Sequence, residues 1–97
     1  MRTREEILEI LRRARAELVR EFGIQRLALF GSYARGDAGE GSDVDVLVEV
    51  DPSIGLRFVD LADRIEGLLG VPTDVVSRRA SSPRHWPEIE KELVEIA

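Results

Sequence analysis

No cysteine occurs among the 97 residues. Disulfides, thiol catalysis and cysteine-held zinc are therefore ruled out, and the composition suits a cytoplasmic setting. Long apolar runs are missing as well. Nothing approaches the roughly 18–20 residues that span a bilayer, and the opening stretch MRTREEI has no signal-peptide character. A cytoplasmic protein with no membrane association is the expectation. Positive charge is in short supply: 14 Lys and Arg stand against 19 Asp and Glu, for a net charge of −5. That balance argues against direct nucleic-acid binding, which leaves a basic footprint. Neither an internal repeat nor a linker interrupts the chain. A hydrophobic content of 43% over this length fits one small globular domain spanning residues 1–97, near the lower size limit for a self-sufficient core.

Thr3 and Glu6 form a capping-box pattern. Ile7, Leu11, Ala14 and Leu18 follow at helical spacing, Leu8 and Phe22 widen the stripe, and Gly23 suits a left-handed stop. Arg26 to Phe30 is an apolar run of strand length, ending at Gly31-Ser32, and Tyr33-Ala34-Arg35 suits a helical turn. The stretch 36–41 (GDAGEG) reads as a loop. From Asp43 to Val50 the residues alternate, with Val44, Val46, Val48 and Val50 on one face and Asp43, Asp45, Leu47 and Glu49 on the other. Asp51-Pro52-Ser53 breaks that strand. Phe58, Leu61, Ala62, Ile65, Leu68 and Leu69 make a second helical stripe closed by Gly70. Residues 72–77 read as a short strand, 78–84 as a polar connection, and Pro87 starts a last helix carrying Ile89, Leu93 and Ile96. The predicted order is α-β-α-β-α-β-α, an α/β layer protein.

Asp43 and Asp45, two apart on a strand, point to the same side. Two such carboxylates repel one another unless something positive lies between them, and a pair of Mg²⁺ ions would remove the conflict because hard cations take oxygen ligands. Alone, an Asp-x-Asp is more often a polar strand end at a solvent edge. Gly31-Ser32 adds a second feature. A strand running into a helix through glycine offers free backbone N–H groups to an anion, and Ser32 can add a hydroxyl donor. Ten residues separate Ser32 from Asp43, enough for a short helix and a turn that return the next strand beside the first. Four fixed positions of this kind recur by chance about once in 10⁵ sites at average residue usage, so the joint pattern is specific.

Gly31-Ser32, ten residues and Asp43-x-Asp45 resemble the signature of the DNA polymerase β-like nucleotidyltransferases. The fuller run GSYARGDAGEGSDVDVLV is similar to their minimal subgroup, the MNT proteins encoded beside HEPN-domain partners. The resemblance implies a small mixed sheet of about three strands flanked by helices. It also implies a two-metal transfer of a nucleoside monophosphate onto a hydroxyl, with release of pyrophosphate. Carried onto this chain, Gly31 and Ser32 match the phosphate-binding pair, and Asp43 and Asp45 the metal-binding pair. Asp74, on the following predicted strand, matches the third carboxylate, which deprotonates the acceptor and can share the metals. Asp51, Asp60 and Asp63 fit that role less well. Arg35 either steadies a phosphate or pairs with Asp37. Ser42 is placed to assist nucleotide binding, by orienting the strand that follows it or by capping a turn. Tyr33 and Trp86 read as packing residues, and the lone His85 as a surface group.

Larger relatives use an extra domain to position the acceptor, so the resemblance implies that a partner supplies it here. The leading expectation is an antitoxin that transfers AMP from ATP, with two Mg²⁺ ions, onto a HEPN toxin. Two alternatives stand beside it: an antitoxin that neutralises its partner by stoichiometric binding alone, and an enzyme modifying a small hydroxylated compound of the aminoglycoside type.

Overall fold

The computed structural model describes residues 2–80 and 84–97, so Met1 and the middle of the polar connection expected at 78–84 lie outside the described residues. Thr3 opens helix α1 (Arg4–Phe22) through the expected capping box. Its hydroxyl accepts from the Glu6 amide at 3.1 Å, and the Glu6 carboxylate accepts from the Thr3 amide at 2.9 Å. Gly23 stops the helix at φ 68°.

Strand β1 (Arg26–Phe30), helix α2 (Gly31–Arg35), strand β2 (Val44–Glu49), helix α3 (Arg57–Leu69) and strand β3 (Thr73–Ser77) follow in the expected order. Short 3₁₀ turns at Pro52–Ile54 and Arg78–Ala80 break the chain after β2 and β3. Helix α4 (Trp86–Glu92) and strand β4 (Val94–Glu95) complete it. The sheet is mixed, in the order β3-β2-β1-β4, with β2 parallel to β3 and the other pairs antiparallel.

Both faces of the sheet are covered. On one, Val44, Val46 and Val48 meet Leu27 and Leu29 of β1 beneath Ile7, Leu11 and Leu18 of α1 and Leu61, Ile65 and Leu69 of α3. Each of these side chains is essentially fully buried, and each contributes roughly 1.5–3 kcal/mol relative to exposure. On the other face Ala28 and Leu47 lie under Trp86, with Ile89 and Leu93 around it. Arg78 stacks over the indole at 3.8 Å from its centroid. The alternation expected of β2 therefore holds, and its second face is apolar at Leu47 between the acidic Asp45 and Glu49.

Two expectations are corrected. The last helix stops at Glu92 and does not run on to Ile96, so the sheet has four strands in place of about three. Leu93 turns extended (φ −62°, ψ 130°), Val94 and Glu95 pair with Leu29 and Ala28, and the Ile96 amide donates to the Leu27 carbonyl at 2.9 Å. Without that strand the outer edge of β1 would leave buried amides and carbonyls unpaired. The sequence suits it, since Val94 and Ile96 reach the α1/α3 side and Leu93 the Trp86 side. Leu68, on the margin of the α3 stripe, is 37% exposed and outside the core.

Candidate active site

β1 ends at Phe30 in extended backbone, and the chain enters α2 through Gly31 at φ 75°. That left-handed angle favours glycine. A second constraint is steric: a Cβ built on Gly31 would stand 2.1 Å from Asp45 Oδ2. The aspartate of β2 thus packs directly against the glycine that ends β1, which brings the two halves of the motif into contact. Gly31→Val is expected to lower the melting temperature by about 10 °C or more, given ~2 kcal/mol of backbone strain before the collision with Asp45 is counted. An unchanged melting curve would show that the turn relaxes at no cost.

Register places the carboxylates. Phe30 of β1, Asp45 of β2 and Asp74 of β3 lie side by side across three strands, so their side chains share one face. Neighbouring strands run about 4.8 Å apart, and Asp43 stands one residue before β2 opens, near enough for its charge to act on Asp45. Asp43 and Asp74 are exposed, while Asp45 is half-buried. Burial, then the like charges of Asp74 and Asp43, push the Asp45 carboxyl above its ordinary range, against a partial pull downward from Arg35. Among the described residues no three acidic or histidine side chains stand as a ready-made metal cluster.

Beside the carboxylates, the Ser32 carbonyl accepts from the Gly36 and Asp37 amides, both at 3.0 Å, which closes the turn after α2. The Ser32 hydroxyl has no hydrogen-bond partner among the described residues. Arg35 meets Asp37, Nε to Oδ2 at 3.1 Å, and also Glu92, Nη1 to Oε1 at 2.9 Å. Ser42 lies in the loop before β2, where its Oγ accepts from the Gly39 amide at 3.0 Å, so its hydroxyl serves a turn. Tyr33 points into the α1/α3 core, Trp86 is buried and His85 is exposed.

Of the poorer-fitting acids, Asp51 accepts from the Ser53 amide at 2.8 Å and caps the Pro52–Ile54 turn, which holds its pKa below the usual value. It stands six residues beyond Asp45 along β2, roughly 20 Å away by strand rise. Asp60 and Asp63 lie on the exposed side of α3. Asp74 alone of these four shares the face of Asp45. One residue of the site had no visible signal in the sequence. Glu92, at the end of α4, reaches the Gly31 amide at 3.3 Å, yet in the run EIEKEL it is one acid among three.

The family profile of the nucleotidyltransferase domain matches residues 11–96. The chain belongs to this family. The protein adenylyltransferase MntA of Thermococcus cleftensis is 45% identical over 98 residues, covering 99% of this chain and 98% of the relative. A solved structure assigned to the minimal nucleotidyltransferases superposes with a TM-score of 0.78 at 38% identity, covering 96% of this chain and 95% of its own. A chain in a complex of tri-AMPylated Shewanella oneidensis HEPN toxin with MNT antitoxin shares the fold, with a TM-score of 0.62 at 21% identity over 93% of this chain and 71% of that one. In this nucleotidyltransferase Gly31-Ser32 and Asp45 lie together at one end of β1 and β2.

Proposed function

We propose that residues 1–97 act as one minimal nucleotidyltransferase domain that transfers AMP from ATP onto a hydroxyl of a HEPN-domain toxin in the cytoplasm, and so serves as its antitoxin. The observation that carries the chemistry is the juxtaposition of Gly31 with Asp45, and of Asp45 with Asp74 in register beside it. Support for a protein acceptor comes from the 45% identical protein adenylyltransferase. Support for the toxin comes from the MNT–HEPN complex that shares the fold.

Divalent metal fits the residues present. The donor set of Asp43, Asp45 and Asp74 is all carboxylate oxygen, which suits a hard cation, and Asp45 and Asp74 stand side by side in register. Two Mg²⁺ ions held by these three residues would neutralise the triphosphate and lower the pKa of the attacking hydroxyl. The chain's own groups do the rest. The Gly31 amide and Ser32 hydroxyl hold phosphate oxygens, with Arg35 beside them. Asp74 takes the proton from the acceptor hydroxyl as its oxygen bonds to the α-phosphorus, and the bond to the bridging oxygen breaks to release pyrophosphate. Asp74 is exposed and β3 is one of the two outer strands of the sheet, so a bulky acceptor can approach it from outside.

The test is to incubate the protein with ATP and Mg²⁺, with and without the toxin, and to weigh both chains intact. The expected result is toxin heavier by whole AMP units, only when ATP, metal and enzyme are all present. Suppression of the toxin with no change in its mass would favour stoichiometric masking. AMP found only on a small hydroxylated compound would overturn the toxin as acceptor.

A further inference from the structure

The Gly31 amide is already engaged. It donates to Glu92 Oε2 at 3.3 Å, while the other oxygen of the same carboxylate accepts from Arg35 Nη1 at 2.9 Å. Glu92 ends α4, which Trp86 and Ile89 fasten to the sheet. The carboxylate is therefore delivered to the loop by a packed helix. One acidic group occupies both the backbone donor and the cation that an incoming phosphate would use.

We propose that Glu92 is an internal occupant of the phosphate cradle, holding Gly31 and Arg35 in the nucleotide-free enzyme and giving way to the triphosphate. It is a positioning residue that sets nucleotide affinity. The proposal rests on the reading of Gly31-Ser32 as the phosphate site. Two anions cannot share one amide and one guanidinium edge, so binding requires the cradle to open, and the apparent dissociation constant rises by the inverse of the open fraction. Asp37 keeps its own bond to Arg35 through Nε, so the guanidinium stays oriented when Nη1 transfers from Glu92 to a phosphate oxygen. Asp45 and Asp74 share one face of the sheet, and Glu92 at the loop adds a further carboxylate to the charge that a triphosphate must meet.

Calorimetry of ATP and of inorganic triphosphate, each with Mg²⁺, on the parent protein, Glu92→Gln and Glu92→Asp tests the proposal. Gln keeps the shape but gives up the ion pair, and Asp keeps the charge but draws it back from the loop. Both variants should bind both ligands roughly three- to tenfold more tightly, the size of one charge-assisted hydrogen bond softened by solvent. A packing role alone would never tighten binding. Equal or weaker affinity in Glu92→Gln overturns the role of Glu92 and leaves the cradle standing. Parent-like affinity in Glu92→Asp also overturns it, because charge at a distance would then suffice. Should neither ligand bind the parent or either variant, the cradle assignment fails and the proposal with it. Melting curves establish that each variant is folded, and two independent substitutions guard against the loss of one.

Discussion

Asp45→Asn is expected to cut AMP transfer by about a thousandfold or more while leaving the protein at least as stable as its parent. On the proposed mechanism, metal held by this residue and Asp43 would supply several kcal/mol of transition-state charge stabilisation, and each ~1.4 kcal/mol is tenfold in rate. Asp43→Asn should behave alike. Stability moves the other way, because the Asp45 carboxylate is half-buried beside Asp74 and Asp43 with only partial relief from Arg35. Its folded pKa lies above the ordinary value of 3.8, so the folded protein holds the proton more tightly than the unfolded chain does. Charged Asp45 thus costs stability at neutral pH, and that cost disappears once the pH drops below the unfolded value. The Asn variant should melt above its parent at pH 7 in chelator, and the gap should close toward pH 4 and below. Undiminished transfer would remove Asp45 from the active site. A gap that widens on acidification would contradict the electrostatic account.

Asp74→Asn should lower the transfer rate by the ~10²–10⁴-fold typical of losing a general base, with ATP affinity little changed. A toxin hydroxyl is a weak nucleophile at neutral pH until a positioned group takes its proton. Asp74 is the acid on the outer strand whose register matches Asp45, and Asp51 is spent on a turn at the far end of β2. Single-turnover transfer and ATP calorimetry on the same preparation separate the two quantities. A collapse of ATP affinity would make Asp74 chiefly a metal ligand. If neither quantity moves, the general base lies elsewhere than in this row of carboxylates.

The local elements were readable because each is set by short-range chemistry. Thr3 and Glu6 announce a helix start, Gly23 and Gly70 announce stops, and the valine alternation of β2 names its buried face. The strand–helix–strand turn that brings Gly31 against Asp45 was readable for a related reason: it is contiguous in the chain, so residue types at fixed spacing mark it. The fourth strand was not. Leu93-Val94-Glu95-Ile96 satisfies a helical stripe and a strand alternation about equally well, and only the open edge of β1 selects the strand.

The order of residues alone put Gly31-Ser32 at a strand end, spaced Asp43 and Asp45 two apart at the start of the next strand, and set Asp74 on the strand after one helix. Tertiary structure alone decided the rest. Parallel pairing of β2 with β3 set Asp74 opposite Asp45 and no residue to either side, and strand register is fixed by which valines reach the core. The side chain that leaves no room for a Cβ at Gly31 belongs to an aspartate fourteen positions away. Glu92 comes from sixty-one residues further on, brought to the same loop because the indole of Trp86 fixes where α4 lies on the sheet. Contacts of that range depend on which elements pack together, and periodicity marks a buried face without naming the element that covers it.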